Sequence, residues 1–163
     1  MRPALDKAMP EAWRAAQAFS SAVRDAASAA GLSAQESELI KVRASQLNAC
    51  AFCLDLHSRQ ARQAGIAQQK LDLLPAWREV ALFGERERAV LAVAEATTSL
   101  PVTDDADADL LGAWSVLGDE TFVAAEWVAA TINAFNRISI LSRHPVRRRD
   151  DDGKVAPPTR SAG

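Results

Sequence analysis

The sequence predicts an all-α fold, and three observations predict it. Alanine makes up about a fifth of the chain, tyrosine is absent and there are only 7 glycines, a mix rich in helix formers and poor in strand formers. Apolar residues recur at steps of three and four along most of the 163 residues. Between those stretches stand helix stops and starts such as Gly31, Ser33, Gly65, Pro75, Pro101 and Pro145. About six to eight helices are expected, forming one domain over residues 1–145, with a disordered tail over 146–163.

Pro10 suits a first helical turn, and Trp13, Ala16, Phe19, Val23, Ala26 and Ala30 carry one apolar stripe, so a helix is expected over 10–30. Gly31 reads as the residue just past its end, with Leu32 as the apolar follower. Ser33 and Glu36 form a capping-box pattern that opens a second helix over 34–47. Asn48 breaks that helix or caps the next, which starts near Ala49 or Cys50 and runs to Gly65. Asp55 and Arg59 make an i,i+4 pair on its outer face. A short helix over 67–74 stops before Pro75, and 76–82 adds a turn or two. Glu85 to Thr98 is amphipathic with an acidic first turn that suits the helix dipole. Thr103 or Asp104 caps a helix over 105–116, and Gly118-Asp119 opens the longest and most apolar one, 120–142, closed by His144-Pro145. The tail has charge blocks, Pro and Gly, and Val155 as its one bulky apolar residue.

A chain of 163 residues can bury a core without disulfide staples, so its 2 cysteines are free for other work. A net charge of −2 gives no footprint for nucleic acid. The strongest apolar run, Phe122 to Ala130, is interrupted by Glu126 and is too short for a membrane span. The opening stretch MRPALDKAMPEAW lacks an apolar secretion core, so a cytoplasmic, reducing location is expected. There a C-x-x-C pair points to catalysis or metal binding. The glycines never form G-x-G-x-x-G, so the chain does not read as its own NAD(P)H reductase.

The chemistry concentrates in residues 38–57. On a helix, Cys50 and Cys53 at i,i+3 and His57 four residues on would share one stripe. The i,i+3 spacing is compatible with a disulfide. Cys50, taken to lie in the first turn, would have its thiolate favoured by free N–H groups and the helix dipole. Two alternatives stay open at this point: buried cysteines that only pack, and a metal site, for which C-x-x-C-x-x-x-H offers three ligands and Glu38 a fourth. Arg59 and Arg62 read as solvated. Arg137, in an apolar helix, needs an acidic partner such as Glu95 or Glu126, or an interface. Trp77, Trp114, Trp127 and Phe135 read as core or oligomer interface.

The segment resembles the AhpD-like alkylhydroperoxidase family of the carboxymuconolactone decarboxylase superfamily. The pattern is Glu38 twelve residues before Cys50, then Cys53, then His57 four residues later. Leu47-Asn48-Ala49-Cys50-Ala51-Phe52-Cys53-Leu54-Asp55-Leu56-His57, the stretch 85–89 and Ile132-Asn133-Ala134-Phe135-Asn136-Arg137 extend the likeness over roughly residues 5–145. One departure stands out: Phe52 occupies the position where well-studied members carry a second histidine.

The resemblance implies a thiol-dependent peroxidase acting on alkyl hydroperoxides. In it Cys53 attacks, Cys50 resolves, Glu38 is the base and His57 orients and relays the proton. It implies no bound cofactor or metal, an external dithiol reductant such as a lipoyl-type adaptor or thioredoxin-like protein, and a homo-oligomer, trimer or hexamer. For Glu38 to accept a proton, a carboxyl with a raised pKa is expected from burial between helices. The competing expectations are a redox-sensing or metal-binding module using the same cysteines, and a decarboxylase of the superfamily's other branch, which does not use C-x-x-C.

Overall fold

The structure, a computed structural model, describes residues 2–150 and 153–156. Eight α-helices stand among the described residues: α1 (Leu5–Ala8), α2 (Pro10–Ala29), α3 (Ala34–Leu47), α4 (Ala51–Gln63), α5 (Gln68–Leu73), α6 (Glu85–Thr98), α7 (Asp104–Leu117) and α8 (Asp119–Ser142). A 3₁₀ segment, Leu74–Glu79, follows α5 in place of the helical turns expected over 76–82, with Pro75 in its first turn. The short α1 has no counterpart in the sequence reading. At four residues it is below the length at which an apolar period can be recognised, and the Ser142 hydroxyl accepts the Leu5 N–H at 3.0 Å, docking it on α8.

The capping box is present: the Ser33 hydroxyl accepts the Glu36 N–H at 3.1 Å, and the Glu36 carboxylate accepts the Ser33 N–H at 2.9 Å. Gly31, at φ 82°, ends α2 with Leu32 N–H bonded back to the Ala27 carbonyl. Thr103 caps α7 through the Ala106 N–H.

The core is centred on α6, which packs against α3, α7 and α8. Every residue from Ala89 to Ala94 is buried, so this helix has no broad polar face. Leu39, Ile40 and Val42 of α3 and Ala125, Val128 and Ala129 of α8 close on it. Burying one such side chain, Leu91 for example, stabilises by about 1.5–3 kcal/mol. The other side of α8 is uncovered, with Val123, Trp127, Ile140 and Leu141 exposed. Of the tryptophans, Trp77 is core, whereas Trp114 and Trp127 are half exposed.

Glu95 of α6 is the hub of a polar cluster at the edge of this core. It accepts hydrogen bonds from Arg43 (2.8 Å), Trp77 Nε1 (2.8 Å) and Arg78 (2.9 Å). Arg137 is therefore not its partner. Instead Arg137, which is exposed, donates through Nη1 to the Asn133 carbonyl and side chain one turn back on its own helix. Of the segment read as a tail, residues 146–150 and 153–156 are described. They make a turn with an Arg149–Val155 bridge, and Arg149 lies 3.5 Å from Asp55 of α4; residues 151–152 and 157–163 lie outside the described residues. Among the described residues no helix is long and apolar enough to cross a membrane.

Candidate functional site

The site is built on the sharp turn between α3 and α4. Ala49 takes a left-handed backbone, φ 52°, and two hydrogen bonds close the turn: Ala49 N–H to the Gln46 carbonyl and Cys50 N–H to the Ser45 carbonyl. Cys50 thus lies two residues past Asn48, the C-cap of α3, and is the N-cap of α4, with extended backbone angles. It is not in the first turn of α4, so it leaves the stripe expected to hold both thiols and His57.

A buried amide cluster pins this turn to α8. Asn48 donates to Asn133 at 2.8 Å and to Asn136 at 2.9 Å, and Asn136 donates to the Ser45 hydroxyl at 3.0 Å. Asn136 is fully buried.

The two thiols are free and occupy different settings. Cys53 lines a cleft of about 530 Å³ between α2, α3, α4 and α8, along with Glu38, Lys41, His57, Trp13, Phe52 and Phe135. Cys50 does not line it; both thiols are buried, Cys53 at 3% and Cys50 at 1% exposure. Burial, and then the adjacent Cys53 thiol, push the Cys50 thiol up to about 12; the Cys53 backbone and, less, the Asn136 side chain only partly offset this. A thiolate at Cys50, expected from the helix dipole, is thereby overturned: desolvation outweighs the favourable end of the helix.

Glu38 and His57 meet, as the family resemblance implies. The Glu38 carboxylate is 2.9 Å from His57 Nδ1 and accepts from Lys41 Nζ at 2.7 Å. Burial opposes its ionisation, but the His57 hydrogen bond and the Lys41 ammonium outweigh it and hold the carboxyl below its ordinary value. The raised value expected for Glu38 is therefore corrected. A single burial argument misses the cation one turn along α3.

This has a consequence for stability. Glu38 and Glu95 both have folded-state values lowered from 4.5, in each case by paired cations and hydrogen bonds overcoming burial. Their contribution is fully present above pH 4.5 and is lost as pH falls through the folded values. The thermal midpoint is expected to hold level from pH 7 to 5 and to drop below 4.5; a midpoint indifferent to acid would contradict these pairings.

Sequence reasoning missed three side chains of this site. Lys41 was visible as the i+3 neighbour of Glu38 on one helix face. Ser139, whose hydroxyl accepts the Cys53 thiol at 3.6 Å, had no signal in an apolar helix. His144 also lines the cleft. Arg59, as expected, pairs with Asp55, at 3.2 Å. Among the described residues there is no group of three or more His, Cys, Asp or Glu placed to hold a metal ion.

The sequence profile of the carboxymuconolactone decarboxylase family matches residues 10–96, a span that contains Glu38, Cys50, Cys53 and His57. The chain belongs to the carboxymuconolactone decarboxylase family. The fold agrees with an AhpD-like member. A protein of unknown function from Agrobacterium tumefaciens, described as a candidate antioxidant defence protein AhpD, superposes with a TM-score of 0.73 at 34% identity, covering 89% of this chain and 99% of that one. Two uncharacterized proteins are also similar. YdfG of Bacillus subtilis is 37% identical over 103 residues, 63% of this chain and 70% of its own. YnjA of Escherichia coli is 36% identical over 67 residues, 41% of this chain and 37% of its own. Phe52 places a phenyl ring in the cleft wall, edge-on to His144 with centroids 5.0 Å apart.

Proposed function

We propose that this protein is a thiol-dependent peroxidase that reduces alkyl hydroperoxides through the Cys53–Cys50 pair. The observation that carries the reading is the asymmetry of two buried thiols: Cys53 lines the cleft that His57 also lines, and Cys50 does not. The AhpD-type neighbour supports an antioxidant role.

The Cys53 thiolate attacks one peroxide oxygen, the O–O bond breaks, and the alkoxide leaves with a proton as the alcohol. Cys53 is then a sulfenic acid. The Cys50 sulfur displaces its hydroxyl, giving the disulfide and water. Cys50, protonated until then, gives up its proton in that step. An external dithiol, of the lipoyl or thioredoxin-like class, reduces the disulfide and is itself oxidised.

In this cycle the ionised Glu38 is less a base than the group that fixes His57. With Nδ1 held by the carboxylate, Nε2 is the nitrogen left to take the Cys53 proton and return it to the alkoxide. The aromatic and aliphatic lining of the cleft suits an organic hydroperoxide. The exposed apolar row of Val123, Trp127, Ile140 and Leu141 fits a homo-oligomer contact.

Steady-state hydroperoxide consumption with a dithiol donor tests the reading. Glu38→Gln is expected to slow it about 100-fold, since Gln cannot hold His57 as a charged proton carrier. Turnover equal to the parent would remove Glu38 from the mechanism.

A further inference from the structure

A second histidine reaches Cys53 by a different route. At the end of α8, Arg143 takes a left-handed backbone, φ 53°. Its N–H bonds the Ile140 carbonyl and the His144 N–H bonds the Ser139 carbonyl. This turn folds His144 back over Ser139, and the imidazole Nδ1 lies 3.3 Å from the Ser139 hydroxyl. That hydroxyl is the one in contact with the Cys53 thiol. The other ring nitrogen, Nε2, faces Asp6 of α1 at 3.2 Å. The two atoms meet off the ideal hydrogen-bond line, and both are buried with no other partner among the described residues. Edge contacts from Phe52 and Trp13 hold the ring in place.

We infer that Ser139, His144 and Asp6 form a second proton path for Cys53, separate from the Glu38–His57 pair. The path works with His144 in the tautomer that carries its proton on Nε2, toward Asp6. The Cys53 S–H bond breaks and its proton passes to the Ser139 oxygen. Ser139 gives its own proton to His144 Nδ1. The net products are a Cys53 thiolate and a His144 imidazolium facing the Asp6 carboxylate, with Ser139 unchanged and now donating to the sulfur. Asp6 is suited to its end of the path, because the His144 contact holds its carboxyl below the usual value. The charged and titratable groups around this path are Asp6 from α1, Arg24 from α2, Glu38 and Lys41 from α3 and His57 from α4, the last four all on the cleft wall. Ser139 touches the reacting thiol. His144 and Asp6 act through it and are positioning residues.

The inference rests on Cys53 as the reacting thiol, and its test does not require peroxide. In a Cys50→Ala background, the rate of Cys53 alkylation by iodoacetamide is measured from pH 5 to 10, with mass spectrometry as the readout. His144→Phe keeps a ring against Phe52 and Trp13 but removes both nitrogens. It is expected to slow alkylation about tenfold at pH 7 while the limiting rate at high pH is unchanged. Ser139→Ala should do the same, and the double variant no more than either alone. Asp6→Asn, on the rim of the fold, should shift the profile in the same direction and keeps the test open if a change in α8 prevents folding. Coincident profiles for the parent and the folded variants would overturn the path. If the shift appears but the parent consumes no hydroperoxide, the path stands and the peroxidase reading falls; if the parent is a peroxidase with no shift, only the path falls.

Discussion

Cys53→Ser is expected to lower hydroperoxide consumption by about 1,000-fold or more, because a serine hydroxyl supplies no nucleophile comparable to a thiolate near neutral pH. Cys50→Ser is expected to fail differently. Its cleft still presents Cys53, so each chain reduces one hydroperoxide and then stalls as a sulfenic acid that a dimedone probe labels. The contrast follows from position: both thiols are buried, but Cys53 lines the cleft and Cys50 does not. A burst of one equivalent from Cys50→Ser and none from Cys53→Ser, measured by peroxide loss in a single-turnover experiment, is the expected outcome. A burst from Cys53→Ser would exchange the two roles.

The largest stability effect is expected at Asn136. Its amide accepts from Asn48 and donates to Ser45 in a fully buried position that ties the α3–α4 turn to α8. Asn136→Ala removes both bonds, leaves buried polar groups short of a partner and opens a small void, for a loss of about 2–4 kcal/mol. Urea denaturation should show it as a lower midpoint with an unchanged slope. A change under 0.5 kcal/mol would mean that the cluster is not holding the turn.

Much of the architecture was legible because its signals are local. Ser33 with Glu36, and Gly31 followed by Leu32, mark helix ends through hydrogen bonds spanning a few residues, and the structure places them there. The pairing of Glu38 with His57 was legible from spacing combined with family likeness. The rest depended on what local patterns omit. Ala49 adopts a backbone that glycine usually signals, so the turn moving Cys50 from the first helical turn to the cap left no mark in the residue type. The ionisation of Glu38 depends on two cationic or hydrogen-bonding neighbours acting against burial, a balance no pattern reveals. His144 and Asp6 come together only because α1 docks on the far end of α8.

In the proposed cycle Cys50 and Cys53 are a redox couple driven by hydroperoxide. Free thiols are counted in the reduced chain before and after one equivalent of an alkyl hydroperoxide. Both thiols of each chain are expected to disappear together, and dithiothreitol to restore both. Two thiols still titrating after the hydroperoxide has been added would contradict that cycle.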